Sequence, residues 1–208
     1  MQELSRKERE KINRRNEILQ AARKVFASKD YASATIDDIA TEAELSKGTI
    51  YLYFDSKADL FLSIFEMGME QLISIMLDSI STNIDDPIAG IKDLIKRQLI
   101  FCEENIDLFK IMSSEAAKLD LHCEMAKTGN FHKRIIDTMI QSIKILANYI
   151  ESGIKIGVFR DISPIDTAFV LRSIVQGFAF KWVMDPEQGK LSDKAEFIST
   201  LFLDGLRK

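Results

Sequence analysis

The sequence predicts an all-α protein in which a three-helix N-terminal head with a helix-turn-helix precedes a C-terminal helical bundle. Three observations carry this. Apolar residues recur three and four apart along most of the chain. Its 208 residues include only 3 Pro and 9 Gly to interrupt that pattern. Ser, Thr or Asp also stands repeatedly just ahead of an apolar-periodic run, where a side-chain oxygen satisfies free helix amides. With 46% hydrophobic and 29% charged residues, the chain can bury a real core.

A first helix is expected over residues 12–28, with Ile18, Leu19, Ala22, Val25 and Phe26 on one face and Arg14, Arg15 and Lys24 turned outward. It ends at Lys29 and Asp30. Thr35 caps a second, over 36–43, with Asp38 three residues on as its capping-box partner. Glu44 and Leu45 make a tight connection. Ser46 then caps a third short helix reaching 53, and Ser56 with Asp59 repeats the capping pattern before a long helix over 57–81. Residues 83–87 form a turn, and Pro87 suits the first position of a helix reaching 104. Further helices are expected over 106–119, 130–156, 165–185 and 193–206, separated by glycine- and proline-bearing breaks. The division into domains is placed at 1–56 and 57–208.

The formal charge of −4 is unevenly spread. Arg6, Lys7, Arg9, Lys11, Arg14, Arg15, Arg23 and Lys24 outnumber the acids of the first 24 residues, so the head is a basic, polyanion-facing end on an acidic body. Cys102 and Cys123 are too few for a disulfide framework, and the charged N-terminus lacks the apolar core of a signal peptide. The apolar stretches 61–77 and 168–184 are broken by Glu66, Glu70, Arg172 and Lys181. A cytoplasmic protein without a membrane segment is therefore expected.

Two short capped helices joined by a tight turn form a unit whose second helix can enter a major groove. Ile36, Ile39, Ala40, Leu45 and Ile50 pack the pair together, which leaves Lys47, Gly48, Thr49, Leu52 and Tyr53 to face outward. At Gly48 the missing side chain lets the backbone approach a phosphate or base edge.

The run Ser46-Lys47-Gly48-Thr49-Ile50-Tyr51-Leu52-Tyr53-Phe54, then Ser56-Lys57, follows Ile18-Leu19, Ala21-Ala22 and Thr35-Ile36-Asp37-Asp38-Ile39-Ala40 at a fixed spacing. Together these closely resemble the DNA-binding head of the tetracycline-repressor (TetR) family, over about residues 12–65. The resemblance implies a DNA-binding set of Thr35, Ser46, Lys47, Gly48, Thr49, Tyr51, Leu52, Tyr53 and Lys57. In that set Thr35, Lys47, Tyr51, Tyr53 and Lys57 meet phosphates, while Lys47, Gly48, Thr49 and Leu52 lie against base edges. Phosphate contacts fix register, whereas base contacts carry sequence information. Asp30 and Glu44 depart from the family pattern, standing where a left-handed glycine is usual.

In the body, the helix over 165–185 is apolar nearly all round, which calls for burial on every side. Phe169, Ile174, Phe180 and Trp182 from it, with Phe197, Leu201 and Phe202 of the last helix, are expected to form an isologous homodimer interface. A dimer presents two recognition helices to a near-palindromic operator. The resemblance further implies repression relieved by a small-molecule effector. Phe101, Phe109, Met112, Met125, Met139 and Phe178 are candidates to line an apolar pocket for it, of a kind that suits an apolar or amphipathic ligand. No cofactor and no metal are expected, because His122, Cys123 and His132 match no metal-ligand spacing. A helical-bundle enzyme is disfavoured, since neither histidine is preceded by Glu three residues earlier. A non-enzymatic adaptor with a basic surface is the remaining alternative.

Overall fold

The computed structural model describes residues 5–113, 131–185 and 189–207, and every regular element among them is helical. α1 (Arg6–Ser33), α2 (Ile36–Glu42), α3 (Lys47–Tyr51) and α4 (Lys57–Thr82) come first. The first helix outruns its apolar periodicity at both ends. At its start Ser5 and Glu8 form a capping box, with Ser5 N donating to the Glu8 carboxylate at 2.8 Å and Glu8 N donating to Ser5 Oγ at 3.3 Å. Those first turns are fully polar, so periodicity cannot see them. At its end the helix passes through Asp30, because Tyr31 and Ala34 beyond it are buried. Asp30 is therefore helical and not the left-handed stop that the family pattern suggested. α3 is two residues shorter than expected, closing in turns in which Tyr53 N and Phe54 N both donate to the Ile50 carbonyl.

The chain forms two compact units, the first running to Gly68 and taking in the end of α6 (Ile106–Ser113), the second comprising most of the rest. The first unit is centred on Ile18, Leu19, Phe26, Ile39, Ile50, Phe54, Leu60 and Ile64, all essentially inaccessible to solvent. Phe26, Tyr31 and Phe61 meet one another with ring centroids 4.9–5.7 Å apart. Burying such side chains is worth about 1.5–3 kcal/mol each, which makes this small unit a stable platform.

The second unit holds α5 (Pro87–Glu104), α7 (Phe131–Lys155), α8 (Pro164–Met184), a 3-10 turn (Leu191–Lys194) and α9 (Ala195–Leu206). α5 starts as expected, with Pro87 at its first position and Asp86 accepting from Ile88 N and Ala89 N. It packs on α8, the 3-10 turn and α9 around Ile91, Leu94, Ile95, Leu99, Leu171, Ile198 and Leu203. The Glu103 carboxylate accepts from Ser192 N at 2.7 Å and thereby fastens the 3-10 turn to α5.

α4 alone among the described helices is long and apolar enough, by length and composition, to cross a membrane. Glu66 and Glu70 interrupt it, and its Leu60, Phe61, Ile64 and Met76 are spent on the protein's own interior.

α7 ends at Gly157, whose φ of 78° turns the chain back so that Val158 N and Phe159 N both reach the Gly153 carbonyl. The Phe159 ring then fills the space where a side chain on Gly153 would stand. Gly153→Ala is expected to destabilise the second unit by about 1–3 kcal/mol through overpacking. Urea unfolding followed by circular dichroism measures this, and the same substitution at Gly205, where an added Cβ meets nothing, serves as the control.

Candidate nucleic-acid interface

The bihelical unit is built from its caps. Thr35 Oγ1 accepts from Asp38 N at 3.1 Å while the Asp38 carboxylate takes Thr35 N at 3.0 Å and its hydroxyl at 2.8 Å. Lys29 Nζ adds a fourth bond to Asp38 at 2.7 Å. The Lys29 and Thr35 bonds hold the Asp38 carboxyl down to about 2 from an ordinary 3.8, so it keeps its charge in acid where a free carboxylate would already be protonated. The N-terminus of α2 is thereby locked, and Thr35 is occupied in locking it.

The turn that follows is a Schellman closure. Leu45 N donates to the Ala40 carbonyl at 2.9 Å and Glu44 N to the Thr41 carbonyl at 3.1 Å. Glu44 sits at φ 55°, the only positive φ at a non-glycine among the described residues. This is the left-handed position the sequence assigned to it, and it costs an L-residue roughly 1–2 kcal/mol. Ser46 Oγ then accepts from Thr49 N at 3.1 Å and shares a 2.8 Å bond with Thr49 Oγ1, which starts α3.

Ile50 and Phe54 anchor α3 in the core. The opposite face presents Lys47, Gly48, Tyr51 and Leu52, with Leu52 78% exposed and Tyr51 48%. Thr49 and Tyr53 are half-buried. An apolar side chain so open to water at the end of a recognition-type helix suits contact with a thymine methyl. Around Gly48 a Cβ would meet only Ser46 Oγ at 3.7 Å, so nothing within the protein demands glycine there.

The cations have divided duties. Lys57 Nζ donates to the Tyr31 carbonyl at 2.8 Å and the Ala34 carbonyl at 3.2 Å while lying 4.3 Å from the centre of the Tyr31 ring. It ties the end of α1 to the start of α4 and keeps one of its three donors for anything else. Arg15 is likewise engaged, over the Phe54 ring at 4.9 Å and donating to Ser63 Oγ at 2.9 Å. Sequence reasoning missed both roles, because each joins residues distant in the chain. Lys47 pairs with Asp37 at 2.8 Å, and that hydrogen bond raises its pKa. Lys7, Arg9 and Lys11 on the first turns of α1 are exposed.

The profile of bacterial regulatory proteins of the tetR family matches residues 18–64. The nucleoid occlusion factor SlmA of Vibrio cholerae is 30% identical over 135 residues, covering 64% of this chain and 68% of that one. This chain belongs to the TetR family. The HTH-type transcriptional repressor NicS of Pseudomonas putida is 27% identical over 203 residues, covering 93% of this chain and 92% of its own. Among solved structures, the regulator FadR of Bacillus subtilis in complex with stearoyl-CoA superposes with a TM-score of 0.73 at 20% identity, covering 91% of this chain and 97% of that chain. As a TetR-family member this protein is a DNA-binding transcriptional regulator and not an enzyme. The all-α plan, with a helix-turn-helix head and a helical body, is the one expected from the sequence.

In the TetR-family body, Phe169, Phe180, Phe197 and Leu201 are exposed on α8 and α9, joined by Met184. Ile174 and Trp182 are half-buried against the second unit's core, Trp182 donating to the Gly189 carbonyl at 2.8 Å. Phe202 is a correction, since it is 7% exposed inside that core and unavailable to a partner. The amphipathic period of α9 explains this, for Phe202 lies four positions from the buried Ile198 and four from the buried Leu206, on the inner face. Of the pocket candidates, Phe101 is buried, Phe109 and Phe178 pack partly buried against the core, and Met139 is half-buried. The Met112 side chain and Met125 lie outside the described residues. His122 and Cys123 do as well. Arg172 was not singled out by sequence as anything but an interruption. It is half-buried, shows no ion pair among the described residues, and burial lowers its pKa.

Gly48→Ala separates folding from DNA binding. It is expected to leave thermal stability unchanged or raised by up to about 1 kcal/mol, since alanine is the better helix former. On the reading that Gly48 lies against base edges, duplex affinity is expected to fall at least about tenfold, because an added methyl would stand between the backbone and those edges. Calorimetry and fluorescence anisotropy on the same preparation check the two halves.

Proposed function

We propose that this regulator is a cytoplasmic homodimeric repressor that holds a near-palindromic operator until an amphipathic, acidic effector enters the body and releases it. The observation that carries the DNA half is the α3 face, where Lys47, Gly48, Tyr51 and Leu52 stand exposed on a helix rigidly seated by Ile50 and Phe54. Lys47 and Tyr51, with Tyr53 and the remaining donor of Lys57, address phosphates, while Thr35, whose N–H and hydroxyl are both given to Asp38, serves by fixing the start of α2. Gly48, Thr49 and Leu52 address base edges. Phosphate contacts set register and the base contacts choose sequence.

Dimerisation is supported by the exposed aromatic and aliphatic face of α8 and α9. Phe169, Phe180, Met184, Phe197 and Leu201 are each more than half exposed, a concentration that marks an interaction surface. A two-fold arrangement covers the face with its own copy and sets two recognition helices about one DNA turn apart. The repressor role follows the name of NicS, and an acyl effector follows that of the FadR complex. The chemistry of Arg172 supports an acidic head group. A desolvated guanidinium with no carboxylate partner among the described residues is costly, and an anionic ligand relieves that cost.

The test is anisotropy of a duplex from the protein's own upstream region beside a scrambled duplex of equal length, followed by addition of stearoyl-CoA, stearate or octadecanol. A preference of about 1,000-fold or more for the first duplex, reversed by the acidic ligands and not by the alcohol, is the expected outcome. Equal weak binding to both duplexes overturns the operator reading, and release by octadecanol alone overturns the acidic effector.

A further inference from the structure

The acids of α2 are all paired, but not for the same end. Asp38 holds Lys29 and the Thr35 cap, and Glu42 holds Lys24 at 3.0 Å, so both bind α2 to the neighbouring scaffold. Asp37 instead reaches forward across the turn to Lys47, the first residue of α3, with Nζ and Oδ2 2.8 Å apart. The Asp37 carboxylate takes no part in the α2 cap, which is completed by Thr35 and Asp38. Its side chain is 68% exposed and that of Lys47 50% exposed, so the pair stands open to whatever approaches the α3 face.

We propose that Asp37 is an internal competitor for DNA, occupying Lys47 in the free head and setting how weakly the protein holds duplexes that lack its operator. The inference rests on the reading that Lys47 faces DNA. A phosphate drawn to Lys47, whose Nζ lies 2.8 Å from the Asp37 carboxylate, approaches a like charge that repels it. The repulsion acts on any sequence, because every duplex offers phosphates there. Base-edge contacts of α3, available only at the right sequence, compensate for it. The pair therefore lowers affinity for every duplex by a similar factor, and only the operator, with its base-edge contacts, is still held tightly.

Electrostatics also fixes how salt enters. Each phosphate neutralised by a protein cation steepens the fall of log affinity with log salt by about 0.9. Lys47 leaves an unpaired carboxylate behind when it moves to a phosphate, and that carboxylate recruits a cation from solution. The full-length protein should thus show one phosphate contact fewer in its salt dependence than the same protein without Asp37.

The experiment measures full-length protein by anisotropy on a scrambled duplex and on the upstream duplex from about 50 to 300 mM KCl. Asp37→Asn, Lys47→Gln and the double variant are compared, and Asp37→Ser runs beside them so that a folding defect in one replacement does not decide the matter. The expected result is that Asp37→Asn and Asp37→Ser bind the scrambled duplex about three- to tenfold more tightly, with a slope steeper by up to about one. In the Lys47→Gln background the gain disappears. Unchanged or weaker binding by a folded Asp37 variant overturns the proposal, as does an equal gain without Lys47, which would make Asp37 a source of bulk charge only. If Lys47→Gln alone alters neither duplex, Lys47 is not on the DNA, and the site reading falls together with this inference.

Discussion

One backbone residue in an unfavourable conformation sets the geometry of the proposed DNA face. Glu44 turns the chain at φ 55°, and only this lets Leu45 N and Glu44 N close on the Ala40 and Thr41 carbonyls, ending α2 and aiming α3. The left-handed cost of about 1–2 kcal/mol is offset by what the turn makes possible. Ile39 and Ala40 on one helix and Ile50 on the other are all buried, and two caps are complete. Glycine would hold the same turn without a side-chain clash. Glutamate is tolerated because the structure around it determines the conformation.

The charges of the head follow from the same economy of space. A basic sequence suggests a surface of free cations, yet the structure uses several of them internally. Lys57 closes the end of α1 against α4, and Arg15 lies over Phe54. Acids on α2 then draw Lys24, Lys29 and Lys47 toward that helix. The head is thus built by the chemistry with which a DNA-binding surface works, and part of its positive charge is committed before DNA arrives.

Most of the head was legible in the sequence, because its signals are local. The Thr35–Asp38 box, the Ser46 cap and the buried positions Ile18, Leu19, Ile39, Ile50 and Phe54 depend on spacings of three and four residues. The polar start of α1 escaped, since Lys7 to Lys11 carry no apolar period. The long-range partners of Lys57, Arg15 and Asp37 escaped because pairings across 26, 48 and 10 residues leave no periodic trace. In the body, the exposed face of α8 was legible from its all-round apolarity. Phe202 was misplaced because composition does not state which face of α9 a residue occupies. Arg172 looked like an interruption, because a sequence does not state burial, and the structure leaves it half-buried.

The turn at Glu44 is tested most directly by comparing Glu44→Gly with Glu44→Val in both thermal unfolding and duplex affinity. Glycine is expected to raise stability by up to about 1 kcal/mol with affinity kept, whereas valine, a β-branched residue that resists the left-handed region, is expected to lower stability by a similar amount and weaken DNA binding. Equal affinity and stability in the two variants would contradict the claim that this left-handed residue governs how α3 is presented.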